Sequence, residues 1–295
     1  MIPAPDAGRL SVIALDTLVS DVHFPHATEP ADVAWKALAV NLSDLAAMGA
    51  EALAVQAHCE APDNDAPWLR DLTRGLELAA ASFAVALQLR CAAGAKRRVS
   101  VQAIGAVPRG AALTRAGAGA GDDLWVSGTL GDAGAGLAIV QQRLHPACGG
   151  ARERLLARLH RPEPRLALGR ALRGLASAAI DVSDGIVGDA GHLARRSGVA
   201  LRIHAAALPL SAALRGTMDV IAARDLALHA GDDYELLFCA PPLHAPRVRA
   251  AAAAAGVAVS LIGMALPGEG ITVTDASGRV VPTRPAYQHF SRAAP

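Results

Sequence analysis

Apolar and polar positions along this chain switch repeatedly between strand-like runs and helical spacing. Leu10–Leu15 reads as a strand entering a polar turn at Asp16-Thr17. Thr28-Glu29-Pro30 marks a helix start with proline in the first turn, and the helix runs over Ala31–Met48. Ala52–His58 is short and apolar, hence a strand. Leu69, Leu72, Leu76, Ala79 and Phe83 recur at helical spacing and predict a helix over Pro67–Ala86. Val99–Val107 is a strand that ends at Pro108.

Arg109–Gly121 changes texture, with Gly110, Gly117, Gly119 and Gly121 among small residues, and reads as an interdomain connection. The alternation then resumes. Strands are expected at Leu124–Ser127, Ala178–Asp181, Ala200–His204, Tyr234–Cys239 and Val257–Met264. Helices are expected at Asp132–Gln142, Arg152–His160, Arg165–Leu175, Ile186–Arg196 and Pro246–Ala255. Ile271–Thr274 and Arg279–Val281 flank Gly278 as a hairpin. The fold class is mixed α/β with two domains: 1–109, a linker over 110–121, and 122–295.

Composition narrows the function classes. The 295 residues carry a net charge of +1 and are 52% hydrophobic, with only 3% aromatic. Near-neutral charge argues against a nucleic-acid or polybasic membrane-surface role. Cys59, Cys91, Cys148 and Cys239 form no Cys-x-x-Cys pair and no zinc spacing, which fits a reducing, cytoplasmic setting. The start lacks the basic segment and apolar core of a signal peptide. The uncharged stretch Ala250–Gly268 reads as a helix end, a glycine stop and a strand rather than a membrane span.

Acidic residues stand at the ends of apolar elements. Asp16 follows the first strand, and Asp44 lies among Leu42, Leu45, Ala46 and Ala47. Asp181-Val182-Ser183-Asp184-Gly185 separates a strand from a helix. A carboxylate among apolar residues needs a cation or donors; for Asp44 the alternative is a polar helix end with Gly49 as its stop. Ser183 and the amides after it could meet a phosphate at the helix start, while Asp184 could equally be a helix cap. Gly231-Asp232-Asp233-Tyr234-Glu235 crowds three acids before a strand, with a solvated turn as the plain reading, and Asp122-Asp123 is read as such a turn. No nucleophile elbow, Walker loop or His-Glu-x-x-His is present. Scattered aspartates suit magnesium, which usually also holds substrate phosphates, so Mg-dependent phosphoryl transfer leads.

These residues resemble thiamine-monophosphate kinases. The resemblance rests on Asp16-Thr17-Leu18-Val19 with His23-Phe24, on Trp35–Ala50, and on Gly105-x-x-Pro108-Arg109-Gly110 with Arg115. It continues through Val126–Asp132, Asp181–Gly185, Gly231–Leu236 and Tyr287-x-His289-Phe290, in order over almost the whole chain. That family makes thiamine diphosphate from thiamine monophosphate and ATP. It shares an ATP-binding fold with aminoimidazole-ribonucleotide synthetase and selenophosphate synthetase. The resemblance implies a homodimer formed by the N-terminal domains with ATP near that interface. It implies magnesium on Asp16, Asp44, Asp181 and Asp184, ATP contacts from Arg115 and Ser183, and a thiamine-phosphate site lined by His23, Asp232 and Tyr287. No nucleic-acid or membrane partner is implied.

The chain departs from the family in two places. It begins after a Gly-Asp-Asp-Ala-Ala segment whose first aspartate is a family metal ligand. A Gly-Gly-Asp-Thr-Thr loop is replaced by the basic segment Gln88–Arg98, which puts Cys91 at the aspartate position. In the tyrosine position near the nucleotide, Phe83 keeps the ring without the hydroxyl. The competing expectation is therefore an impaired homologue that binds nucleotide or thiamine phosphate without turnover.

Overall fold

The computed structural model describes residues 7–284. In chain order the first elements are β1 (Arg9–Val19), α1 (Pro30–Ala47), β2 (Glu51–Ala61), α2 (Ala66–Ser82), β3 (Ala86–Ala93) and β4 (Arg98–Pro108). Next come β5 (Asp123–Ser127), α3 (Asp132–Val140), α4 (Gly149–His160), α5 (Leu166–Ala171), β6 (Ala178–Asp181), α6 (Ile186–Ser197) and β7 (Ala200–His204). The last are α7 (Ala212–Arg215), α8 (Val220–His229), β8 (Leu236–Ala240), α9 (Ala245–Ala254), β9 (Val259–Leu266) and β10 (Gly270–Thr274). Two compact units result. One holds residues up to Leu113 together with His160–Gly174; the other holds Thr114–Leu159 and residues from Leu175 onward. The chain thus returns to the first unit at α5, which composition alone did not signal.

In the first unit a four-stranded sheet runs β1-β4-β2-β3. Side chains alternate between its faces. Leu18, Val55, Ala57, Cys59, Val99, Val101 and Ala103 point to one face and form a core with α1 and α2. The other face carries Ile13, Leu15, Gln56, His58, Gln88, Ser100 and Gln102, as the strand register requires. Helix α1 is apolar nearly all round because it is buried nearly all round: only Pro30, Ala31, Asp32, Trp35 and Asp44 keep appreciable surface. It stops in a Schellman motif, with Gly49 NH on Ala46 O at 2.9 Å and Ala50 NH on Leu45 O at 2.8 Å. Gly49 supplies the left-handed φ of +62° that this stop requires.

Three expectations for this unit need correction. Asp16 is not in a turn; β1 continues through it to Val19 because its pairing with β4 extends to Arg98. Helix α2 stops at Ser82, short of Ala86. Ala84 turns the chain with φ +54°, so that Leu87 and Leu89 reach the core on a new strand. The basic segment Gln88–Arg98 begins within that strand, β3, paired in parallel with β2, and continues through a tight connection to the first residue of β4. Two of its cations, Arg97 and Arg98, have carboxylate partners. Arg97 Nε lies 2.5 Å from Asp65 and its guanidinium stacks 4.9 Å over Trp68, while Arg98 reaches Glu60 at 3.5 Å.

The second unit is built on a six-stranded sheet, β10-β7-β9-β5-β8-β6. Its central strands are buried on both faces and read accordingly as continuous apolar runs. Leu124, Val126, Ile180, Leu237 and Cys239 form one core with Ala190 and Leu193 of α6 and Ala227 and Leu228 of α8. A smaller cluster joins Ala135, Ile139, Leu155, Leu214 and Ala223. Helix α8 escaped the sequence reading, although Asp219 caps it on the amides of Ile221 and Ala222 at 2.9 and 3.0 Å. The C-terminal hairpin is not formed as expected: β10 pairs in parallel with β7, and a single bridge, Thr274 to Val280, remains of it. Among the described residues no helix is long and apolar enough to cross a membrane.

Candidate active site

The second unit brings two acidic loops together. Strands β6 and β8 are antiparallel neighbours, with Asp181 opposite Leu236. The loop after β6 therefore lies beside the loop before β8. Backbone bonds zip them: Val182 NH to Glu235 O at 2.8 Å, Tyr234 NH to Val182 O at 2.8 Å, and Asp232 NH to Ser183 O at 2.9 Å. Gly231 permits this approach, since a Cβ there would stand 2.3 Å from the Ser183 carbonyl oxygen. Asp232 and Tyr234 take the left-handed φ values of +70° and +50°, and the Tyr234 hydroxyl donates to Asp232 Oδ1 at 3.2 Å. Such conformations cost energy in non-glycine residues and persist only where the surroundings enforce them.

The enforcing contacts sit directly behind. Glu235 is fully buried, accepts from Ser127 Oγ at 2.6 Å and pairs with Arg158 Nη2 at 2.7 Å. Arg158 also donates to the Asp233 carbonyl at 3.1 Å, and Ser127 Oγ accepts from Leu236 NH at 2.8 Å. Asp233, equally buried, accepts from Gly131 NH at 2.8 Å. Burial drives its carboxyl well above the usual carboxylate range, against the Gly131 donor and the Arg158 charge. The plain reading of this segment as a solvated turn is thus overturned, because two of its three acids face inward. Asp122 is likewise no solvated turn: it is buried and accepts from Ser177 Oγ at 2.5 Å and Gly119 NH at 2.9 Å.

Asp189, in the first turn of α6, was missed by sequence reasoning. Its Oδ2 accepts from the amides of both Ser183 and Asp184, at 3.0 and 3.1 Å. Those two amides are thereby committed, so the expected phosphate cradle at this helix start is not made by them. Burial, then the charges of Asp181 and Asp184, push the Asp189 carboxyl up to about 8. A carboxyl raised that far keeps its proton near neutral pH, so the loop carries the charges of Asp181 and Asp184 beside a largely neutral Asp189. The signal that could have found Asp189 is an acid in the turn directly after Asp-x-Ser-Asp-Gly. Arg115 is exposed, and its carbonyl accepts from Ser197 Oγ at 3.0 Å.

In the first unit, Asp16 is exposed on β1, on the face covered by α1, and its amide donates to Asn41 Oδ1 at 3.0 Å. Asn41 lies one turn before Asp44 on α1 and anchors itself on Ala37 O at 3.0 Å. Asn41 therefore ties α1 to the stretch of β1 around Asp16. His23 Nδ1 accepts from Val19 NH at 3.0 Å, which leaves Nε2 as the protonated ring nitrogen. Phe83 packs against Trp35 with ring centroids 4.6 Å apart. Tyr287 lies outside the described residues.

Comparison with known proteins settles the lineage. The family described as AIR synthase related protein, N-terminal domain, matches residues 2–89, and its C-terminal domain matches residues 119–276. The thiamine-monophosphate kinase of Escherichia coli K12 is 40% identical over 280 residues, covering 95% of this chain and 86% of that protein. This chain belongs to the thiamine-monophosphate kinase family. The crystal structure of the thiamine-monophosphate kinase of Stenotrophomonas maltophilia K279a superimposes with a TM-score of 0.87 at 42% identity, covering 94% of this chain and 88% of that one. A structure of AaThiL complexed with AMPPCP and TMP matches with a TM-score of 0.86 at 30% identity, covering 98% and 90%. The mixed α/β architecture of these kinases is the one seen here.

Magnesium fits the donor set of this family member. Among the described residues no group of three or more His, Cys, Asp or Glu side chains is placed to hold a metal ion by itself. Magnesium, however, is commonly held by one or two carboxylates with substrate phosphates completing its octahedron. Burial, then the charges of Asp181 and Asp184, raise the Asp189 carboxyl, so acidic groups are concentrated at this loop.

Proposed function

We propose that this chain transfers the terminal phosphoryl group of ATP to thiamine monophosphate, giving thiamine diphosphate, with magnesium. The observation that carries the reading is the paired acidic loops of the second unit, zipped together behind Asp181, Ser183, Asp184 and Asp232. The similarity to the Escherichia coli thiamine-monophosphate kinase supports it.

Phosphoryl transfer asks a protein for alignment and charge neutralisation rather than a covalent nucleophile. Asp181 and Asp184 are the second unit's candidate magnesium ligands; Asp16 and Asp44 are the first unit's. Bound magnesium would offset the charge of the phosphates as the bond to the leaving group breaks. Arg115 and the Ser183 hydroxyl are assigned to ATP, and Asp232 supplies a negative charge for the cationic thiazolium. His23, with Nε2 carrying the proton, offers a donor to a phosphate oxygen. The acceptor is already an ionised phosphate, so no general base is required.

We further infer a homodimer through the bare face of the first unit's sheet. Ile13 and Leu15 are 60% and 66% exposed there, and the row from Leu15 continues through Gln102 to the hydrogen-bonded pair Gln56 and Gln88. An apolar patch on an uncovered sheet is an association surface.

The function is tested by incubating the protein with ATP and magnesium in the presence of thiamine monophosphate, thiamine or no acceptor. ATP consumption only with thiamine monophosphate is expected. Equal consumption in all three reactions would remove the assignment.

A further inference from the structure

The proposed reaction uses none of the cysteines. Two of them stand together. Cys59 on β2 and Cys91 on β3 are register partners in a parallel ladder. Neighbouring strands lie about 4.8 Å apart, inside the range of about 4.4–6.8 Å over which two Cα atoms accept a disulfide. Partners in a ladder project to the same face, here the helix-covered one, so the two thiols are neighbours. Their surroundings differ. Cys59 is fully buried in the first unit's core, whereas Cys91 is exposed on the outermost strand.

We propose that Cys59 and Cys91 form a redox-active dithiol that a peroxide converts reversibly into an intramolecular disulfide. Cys91 is the peroxide-facing sulfur. Its thiolate attacks one peroxide oxygen, an S–O bond forms, the O–O bond breaks, and the leaving hydroxide takes up the proton that the thiol released, departing as water. The Cys59 sulfur then attacks the Cys91 sulfenic sulfur. The S–S bond forms, the S–O bond breaks, and the hydroxyl leaves as a second water with the Cys59 proton. The two sulfurs lose two electrons and hydrogen peroxide gains them. A small dithiol reverses the change by exchange through a mixed disulfide. Burial raises both thiols, Cys59 up to about 12, so disulfide formation is slow near neutral pH and speeds up as pH rises. The product clasps the edge strand β3 to β2.

The test uses the full chain treated with hydrogen peroxide, followed by thiol counting and peptide mass mapping. The expected product is one cross-linked peptide pair joining Cys59 and Cys91, about 2 Da lighter than the two thiols and restored by dithiothreitol. The exposed Cys148 serves as an internal measure of unassisted oxidation. In Cys59→Ser, Cys91 should instead advance to sulfinic acid, about 32 Da heavier and not reversed by dithiothreitol. In Cys91→Ser, Cys59 should stay reduced. Sulfinic acid at Cys91 in the unsubstituted chain, or preferential cross-linking of Cys91 to Cys148 or to a second chain, overturns the proposal.

Discussion

Arg158 Nη2 lies 2.7 Å from Glu235 Oε1, and the carboxylate it meets has no exposed surface. One charge-assisted bond therefore fixes the strand start that carries Asp232 and Tyr234. Removing one partner of a buried pair leaves the other charge without compensation, at a cost of about 3–5 kcal/mol. Arg158→Ala should lose that much in urea unfolding. The double variant Arg158→Ala with Glu235→Gln should recover part of it, because no charge is then stranded. Additive losses in the double variant would mean that the pair is not coupled.

Gly231→Ala tests the zipper between the acidic loops. The added methyl meets the Ser183 carbonyl oxygen and must part the loops. Overpacking of this kind costs about 1–3 kcal/mol. KM for thiamine monophosphate should rise more than kcat falls, because Asp232 moves with the loop. Steady-state kinetics that match the unsubstituted protein would place Asp232 outside the substrate site.

Asp44 and Asp184 are assigned to magnesium, one in each unit. Loss of a single electrostatic stabiliser commonly lowers kcat by about 10²–10³. Asp44→Asn and Asp184→Asn should each lose that much and need more magnesium for half-maximal rate, with Tm nearly unchanged. An unchanged magnesium dependence in either variant removes that residue from the metal site.

Leu15→Glu places a charge on the bare sheet face without entering either core. Multi-angle light scattering should show the dimer mass for the unsubstituted protein and the monomer mass for the variant. A monomer in both cases would exclude this surface as the interface.

The parts legible in the sequence are those that depend on local pattern. The apolar periodicity of α1 and α2 and the polar stop at Gly49 gave the first unit, and the acidic loops gave the candidate site. What escaped depends on partners far away in sequence. Asp16 looked like a turn residue because its strand pairing with β4 is invisible locally. The Gln88–Arg98 segment reads locally as a basic run where the family has a Gly-Gly-Asp-Thr-Thr loop. Its first part belongs to β3, whose Leu87 and Leu89 pack half-buried against the core, and Arg97 after it meets Asp65 and Trp68. Glu235 and Asp233 looked solvated because their partners, Arg158, Ser127 and Gly131, are 77 to 108 residues away in sequence. Asn41 is the intermediate case: its oddness in an apolar helix was visible, its bond to Asp16 was not.

The most direct measurement is product formation by the purified full chain with ATP, thiamine monophosphate and magnesium. Equal amounts of thiamine diphosphate and ADP should appear, and formation should stop when magnesium is chelated and resume when it is restored. ATP binding without thiamine diphosphate, at any magnesium concentration, would contradict the account.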